Sequence, residues 1–451
     1  MAPRLVIIGG DAAGMSAAAQ VRRMKSVEEL DIVVFERSSR TSYSACGLPY
    51  LIGGIVKTPQ DLIARSPEQH RAKGIDVRVR HEVTAIDVET STVTVRDFGS
   101  SQESAVHYGQ LLIATGASGI APQWPGIDAK GVLQLRTLDD AAAVEQIISA
   151  GARRAVVVGG GYIGLEVAEA LLGRGLHVTV VERLETPMGS VLDADMAAIV
   201  AGAMTAAGID LRLGTTVTGF SARGGRVAAV ETEACALQAD LVVIGLGVRP
   251  NAELARVAGI GVGESGGIEV DDHLRTDTPH IWAAGDCVES RHRLTGRPLV
   301  VALGTHANKQ GRVAGTNLAG GEASFGGVLG TAITRFQDTE IALTGLTERE
   351  ATAAGFKVVG VMSEAYNRAG YFPGAEPMTI KLVVERGTGR LLGAQIVGRA
   401  NAGKRIDVLA TALWNNMTVA EIVRMDLSYA PPFSPVWDPV LLAAGKAAAA
   451  V

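Results

Sequence analysis

Cys46 is the residue whose surroundings best suit redox chemistry. It lies in Ser42-Tyr43-Ser44-Ala45-Cys46-Gly47-Leu48-Pro49-Tyr50, between a polar, arginine-containing loop (37–44) and an apolar stretch. If that stretch is helical, the sulfur sits at a helix N-terminus, where the thiolate is favoured. An ordinary half-buried cysteine is the plainer alternative. Cys235 and Cys287 have no such setting and read as structural. The three cysteines form no CxxC or CxxxxC pair and no zinc-type spacing with histidine. Cysteine redox chemistry here would use one sulfur plus another group. None of the eight histidines lies in a cluster with Ser or Asp that suggests a hydrolase triad. His306, in the helical run 304–314, reads as a surface or packing residue. Tyr371 and Tyr429 sit in Pro/Gly-rich segments and read, from position alone, as packing aromatics.

Two glycine turns accompany the cysteine. Leu5–Ile8 is an apolar run of strand length. Gly9, Gly10, Asp11, Ala12, Ala13 and Gly14 follow it, then a small-residue helix over Met15–Met24 and a strand Asp31–Phe35 ending on Glu36, 22 residues after Gly14. This is a dinucleotide-binding pattern. Asp11 occupies the middle glycine position, so its side chain must point away from the pyrophosphate. The pattern returns at strand Ala155–Val158. There Gly159, Gly160, Gly161, Tyr162, Ile163 and Gly164 make a complete GxGxxG, followed by a helix from Leu165 and a strand Val178–Val181. That strand ends on Glu182, 18 residues after Gly164. In both, glycine lets the backbone approach a pyrophosphate, the helix N-terminus offers free N–H groups, and the acid takes ribose hydroxyls. One such motif is a weak signal, but two with full context are a strong one.

Two shorter strand-to-turn signals are Leu111–Gly116 and Ile281–Asp286. Beyond residue 330 no fingerprint recurs. Thr331–Thr344 reads as a strand. Met378–Glu385 and Leu391–Val397 read as a hairpin across Gly387–Gly389, and helices follow at Arg405–Asn415 and Val419–Val423. The chain has 451 residues, enough for about three domains. Its 42 Lys+Arg against 47 Asp+Glu give a net charge of −5, which speaks against nucleic-acid binding as its main work. With 55 glycines and only 4% aromatics it reads as compact α/β material with tight turns. No apolar run is long enough to span a membrane, and the apolar start is too short for a signal-peptide core. The expectation is a cytoplasmic protein without membrane or nucleic-acid partners.

Together these motifs resemble the FAD-dependent pyridine nucleotide–disulfide oxidoreductases over essentially the whole chain. The first fingerprint with Glu36 resembles the FAD site. Ala114-Thr115-Gly116 resembles the family's ATG segment, and Ala284-Gly285-Asp286 the motif whose Asp binds the ribityl chain. The second fingerprint resembles the NAD(P)H site. The segment from Leu303-Gly304-Thr305 to Arg312 resembles the one beside the flavin pyrimidine edge, and the last ~120 residues the dimerisation domain. The implied fold is α/β: two Rossmann-like dinucleotide-binding domains plus a C-terminal α+β dimerisation domain. Its implied parts are a split FAD domain (1–120 and 246–325), an NAD(P)H domain (121–245) and a dimer domain (326–451).

By the resemblance, the two cofactors, FAD and NAD(P)H, would be held by Gly9, Ala13, Gly14, Glu36, Arg37, Val83, Ala114, Thr115, Gly116, Arg136, Gly159, Gly161, Tyr162, Ile163, Gly164, Glu166, Glu182, Arg183, Gly245, Gly247, Gly285, Asp286, Leu303, Gly304, Thr305 and Phe433. Glu182 favours NADH over NADPH, with Arg183 softening that preference.

The lone cysteine excludes the glutathione-reductase type. It leaves coenzyme A disulfide reductases, persulfide or polysulfide reductases, and NADH oxidases and peroxidases. Cys-Gly-Leu-Pro-Tyr, Tyr371-Phe372-Pro373-Gly374 and Tyr429 ahead of Pro431-Pro432-Phe433 look most like the coenzyme A disulfide reductases. Ala12 stands where oxidases and peroxidases carry a histidine. Ala45 stands where the disulfide reductases often carry an asparagine. A fused rhodanese domain, found in some persulfide reductases, is not expected.

The implied activity is reduction of a small-thiol disulfide, first of all coenzyme A disulfide. Cys46 would cycle through a mixed disulfide that holds coenzyme A, and Tyr371 and Tyr429, the latter from a partner subunit, would assist the leaving thiolate. Ser16, Gln20, Arg23 and Ser42 would face the substrate tail. Arg22, Arg71 or Lys73 would add charge for a phosphate, unless these basic residues are merely a solvated surface. NADH oxidation by oxygen through a Cys46 sulfenic acid, persulfide reduction by the same residues, and a non-catalytic redox-sensing flavoprotein are the alternatives. A homodimer is expected.

Overall fold

The computed structural model describes residues 3–451. Its contacts divide the chain into two units. The first comprises the chain up to Gly47, Val56–Ile120 and Val248–Val328. The second comprises Leu48–Ile55, Ala121–Gly247 and Leu329–Val451.

The first unit is built on a five-stranded parallel sheet. Its order is Ile281–Ala283, Gln110–Ile113, β1 (Arg4–Ile8), β2 (Asp31–Glu36) and Asp76–Val79. These strands read as unbroken apolar runs because both faces are covered. On one face lie α1 (Ala12–Met24) and the helix Gly304–Leu318, whose apolar sides join Leu5, Ile7, Ile32 and Val34. On the other lie Val83, Ile86, Val93 and Val95 of an antiparallel three-stranded sheet.

The small-residue composition has a direct use here. A Cβ on Gly311 would fall 2.2 Å from Ala13 O, and one on Gly315 would fall 2.6 Å from Ala17 O. The two helices therefore pack backbone to backbone. α1 starts at Ala12, earlier than the expected Met15, so the glycine turn runs straight into it. Arg22 and Arg23 occupy its last turn, where the helix dipole favours cations.

The second unit holds another parallel sheet, ordered Asp210–Arg212, His177–Val181, Arg154–Val158, Leu241–Ile244 and Val132–Gln134. It also holds an antiparallel sheet, ordered Ala332–Phe336, Thr339–Gly345, Leu391–Arg399, Pro377–Glu385 and Val358–Tyr366.

The expected single strand over 331–344 is a hairpin instead. Gln337 adopts a left-handed φ of 51°, and Phe336 pairs with Thr339 across the two-residue turn. The expected hairpin after Met378 is present, with Gly387 and Gly389 at φ 88° and 70° in its turn. The elements not anticipated include a strand and a helix in this region. The strand Val358–Tyr366 lies at the sheet edge, and the helix Pro439–Ala448 is opened by Asp438, whose carboxylate accepts from Val440 N at 2.8 Å. Lys381 is almost fully buried and surrounded by Asp193, Asp195 and Glu348. Burial works against its charge, but the bonds to Asp195 and Glu348 and the charge of Asp193 outweigh it, and its pKa is raised. Among the described residues no helix is long and apolar enough to cross a membrane.

Candidate active site

The first glycine turn closes on its neighbours with no room for side chains. A Cβ on Gly9 would lie 2.1 Å from Ala114 O, one on Gly14 2.0 Å from Gly9 O, and one on Gly285 2.8 Å from Ala13 Cβ. Gly9, Ala13, Gly14, Ala114 and Gly285 are thus drawn into one cradle at the carboxyl ends of the strands. Glu36 spans it, with Oε2 accepting from Gly10 N at 2.8 Å and Oε1 from Ser38 N at 2.8 Å. Arg37 follows on the exposed side.

Thr115 and Gly116 are held by Asn251, a residue no motif singled out. Thr115 Oγ1 donates to Asn251 O at 2.6 Å, and Asn251 Nδ2 returns a bond to Thr115 O at 2.9 Å. Gly116 takes a φ of 66° with open space where a Cβ would be. Gln310, within the 303–312 segment, adds a support not anticipated: its buried amide oxygen accepts from Gly285 N at 2.8 Å, fixing the turn that carries Asp286. Leu303, Gly304 and Thr305 begin the helix that bears Gln310, and Gly304 also faces open space. Val83 is a core side chain, packed with Val93 and Val95.

Asp11 is the residue immediately before α1. It accepts from the backbone N–H groups of Tyr43 and Ala12, yet burial, then the charges of Glu36 and Asp286, raise its pKa from 3.8 to about 7.

The second turn repeats the first. A Cβ on Gly159 would lie 2.5 Å from Gly245 O and one on Gly164 1.9 Å from Gly159 O, while one on Gly161 would meet nothing within 4 Å. The first two glycines are demanded by packing. Gly161 is not, and a Cβ there would project into open space. Glu182 mirrors Glu36: Oε2 accepts from Gly160 N at 2.6 Å and Oε1 from Leu184 N at 2.8 Å. Arg183 beside it is exposed, Ile163 is half-buried, and Gly247 takes a φ of 89°.

Tyr162 opens the helix Tyr162–Gly173, and its hydroxyl is buried with no partner among the described residues. Burial, then the charge of Glu166, raises its pKa. Glu166 is itself pushed up by burial and accepts from Thr334 Oγ1 at 2.8 Å. An orphaned buried phenol beside a carboxyl is an arrangement an arriving polar ligand can complete. Both cradles fit dinucleotides: glycines where packing or ligand leaves no room, ribose-binding acids in place, and helix N-termini aimed inward.

Cys46 is exposed in a short 3-10 turn, Ala45–Gly47, ahead of the five-residue helix Leu48–Ile52. The helix expected after the cysteine is therefore short, and the turn that bears the sulfur precedes it. The polar loop before the cysteine is tied to the glycine turn: Thr41 Oγ1 donates to Gly10 O, as does Ser42 N at 3.3 Å. Cys287 is buried, its thiol pKa raised by that burial and its Sγ 3.3 Å from Ala284 O. Cys235 is exposed in a turn braced by Thr232.

Ser16, Gln20 and Arg23 share one side of α1. Ser16 Oγ bonds Asn308 at 2.7 Å, Gln20 bonds Thr316 at 3.1 Å, and Arg23 bonds Gln20 at 2.8 Å. In the second unit Tyr371 and Tyr429 are both exposed and their hydroxyls hydrogen-bond, so whichever subunit supplies one supplies both. Phe433 is exposed, with its carbonyl held by Arg405 Nη2 at 2.6 Å. Arg136 lies before the helix Leu138–Ser149, its N–H capped by Asp140 at 2.9 Å. His306 is half-buried and edge-on to Phe325 at 6.3 Å, a packing role. Among the described residues no group of three or more His, Cys, Asp or Glu is arranged to hold a metal.

Residues 3–314 match the pyridine nucleotide-disulphide oxidoreductase family, and residues 331–439 match that family's dimerisation domain. The chain belongs to the pyridine nucleotide-disulphide oxidoreductases, α/β flavoenzymes that use FAD and NAD(P)H. A Pyrococcus horikoshii protein named NAD(P)H coenzyme A polysulfide/persulfide reductase is 40% identical, over 98% of this chain and 98% of that one. A Staphylococcus aureus (strain MW2) coenzyme A disulfide reductase is 32% identical, over 96% of this chain and 97% of that one. The structure of an NAD-dependent persulfide reductase from A. fulgidus superposes with a TM-score of 0.95 at 39% identity, covering 99% of this chain and 83% of that one. The protein is an oxidoreductase of this family.

Proposed function

We propose that this enzyme reduces a sulfur–sulfur bond on coenzyme A, through Cys46 as its single exchanging sulfur. The observation that carries the reading is the exposed Cys46 on a loop tied to the FAD-type glycine turn. The coenzyme A-linked names of the 40% and 32% identical relatives support the choice of thiol.

The Cys46 thiolate attacks the coenzyme A-bearing sulfur and forms a mixed disulfide. From a persulfide the leaving group is hydrosulfide, and from coenzyme A disulfide it is coenzyme A thiolate. Either way the same Cys46–coenzyme A disulfide results. Bound FAD supplies the two-electron path from the nicotinamide to that disulfide, which then releases coenzyme A thiolate and restores Cys46. Tyr371 and Tyr429, already sharing a hydrogen bond, donate toward the departing sulfur, and Ser16, Gln20 and Arg23 line the approach of the substrate tail. Persulfide is the preferred substrate, on the weight of the relatives near 40% identity. Coenzyme A disulfide is the second reading. Glu182, with both oxygens aimed by backbone N–H groups, accepts ribose hydroxyls and repels a 2′-phosphate, which favours NADH. The enzyme works as a cytoplasmic homodimer.

Sulfide release per NADH oxidised with coenzyme A persulfide, and coenzyme A thiol release per NADH oxidised with coenzyme A disulfide, test the assignment. Cys46→Ser should remove both activities while leaving NADH-to-dye electron transfer. Persistent disulfide or persulfide turnover in that variant refutes the reading. Glu182→Ala should lower kcat/KM for NADH roughly tenfold and narrow the gap to NADPH.

A further inference from the structure

Ser42, shortly before Cys46, holds a backbone conformation that needs support. Its φ of 53° is left-handed, which is costly for a residue with a side chain. Its N–H donates to Gly10 O at 3.3 Å, and its carbonyl accepts from Ala64 N at 2.8 Å. Its hydroxyl meets His70 Nε2 at 2.9 Å. His70, on the short helix Pro67–Arg71, is 2% exposed, and its Nδ1 is buried with no partner among the described residues. Burial first, then the charges of Arg65 and Lys73, bring the His70 pKa from 6.5 down to about 4, so the ring is neutral at physiological pH.

A neutral imidazole carries one N–H. On Nδ1 it would be a buried donor without a partner, and orphaned N–H groups are rarer in proteins than under-used acceptors. On Nε2 it donates to Ser42 Oγ, and Nδ1 keeps only a lone pair. The second form is favoured. Ser42 Oγ then accepts from His70, and its own proton must go elsewhere. Thr41 Oγ1, 3.5 Å away, lies beyond the normal O–H···O range. The Ser42 proton is left for a group from outside the loop. Arg65 and Lys73, whose fields reach this spot, bias that group toward negative charge.

We propose that His70 is a positioning residue that fixes the Ser42 hydroxyl as a hydrogen-bond donor to an anionic oxygen, phosphate or carboxylate, of the small-thiol substrate. This rests on the reading of Cys46 as the thiol-exchange sulfur, since only then is Ser42 beside a substrate. No step of the exchange itself passes through His70.

Long-range 1H–15N spectra of holoenzyme labelled with 15N-histidine read the tautomer without any substrate, with His70→Gln assigning the signals. The Nε2–H form is expected above about pH 5. The Nδ1–H form overturns the proposal whatever the substrate is. Kinetics with coenzyme A disulfide then read the consequence. Ser42→Ala and His70→Leu should each raise KM roughly tenfold, with kcat moving less. The double variant should be no worse than either single one. His70→Gln, which keeps an N–H near the Nε2 position, should lie closer to the parent. Multiplying effects in the double variant, or an unchanged KM in Ser42→Ala, overturn the proposal. Should His70→Leu fail to fold, Ser42→Ala and the spectra still decide it. If the parent turns over neither coenzyme A disulfide nor coenzyme A persulfide, the substrate reading fails, while the tautomer still decides where the proton sits.

Discussion

Asp11 shows how one side chain can tie cofactor site, loop and stability together. Its pKa is raised from 3.8 to about 7 by burial and then by Glu36. A carboxyl whose folded-state pKa lies above its unfolded value stabilises the fold fully below the unfolded value, and that contribution is lost as pH rises through the folded one. Asp11→Asn should therefore match the parent in denaturant unfolding near pH 4. At pH 8 it should be more stable, by on the order of 1–2 kcal/mol after solvent screening. A gap that is constant from pH 4 to pH 8 would contradict the assignment. The sequence marks Asp11 as unusual, because it stands in the middle glycine position. Its bond to the Tyr43 backbone was not legible there, because that contact depends on how the loop 37–44 folds back.

The two glycine turns were legible as elements because short-range sterics dictate them, and the sterics act within a few residues. The glycines of each turn nonetheless do different jobs. Gly14→Val would drive a side chain into Gly9 O and should yield little flavin-loaded, soluble protein. Gly161→Val enters open space and should fold with a normal melting temperature, while the KM for NADH rises at least tenfold. Equal damage from both would show that Gly161 is a packing residue after all. Asn251 and His70 escaped sequence reasoning because they act through partners far along the chain, Thr115 and Ser42, with no local motif to mark them; Gln310 lies in the marked 303–312 segment, but its bond to Gly285 spans too much chain to be read there. The hairpin at Gln337 was missed for another reason. Gln337 and Asp338 form a two-residue turn without glycine, so the alternating pattern runs through it unbroken.

At the scale of the molecule, the 331–439 match to the dimerisation domain meets an exposed apolar stretch. Phe433, Val436 and Trp437 are 72%, 69% and 60% exposed, which a monomer rarely tolerates. Trp437→Glu should shift the light-scattering mass from dimer to monomer and lower disulfide turnover at least tenfold, because Tyr371 and Tyr429 would no longer reach a partner's sulfur. An active monomer would assign the tyrosines to their own chain's site. The central claim, that Cys46 alone carries the substrate thiol, is tested most directly by intact mass and peptide mapping. Oxidised enzyme, freed of bound thiols and treated with one equivalent of coenzyme A disulfide, should gain one dithiothreitol-reducible coenzyme A per chain, mapped to Cys46. No adduct, or an adduct on the exposed Cys235, contradicts the account.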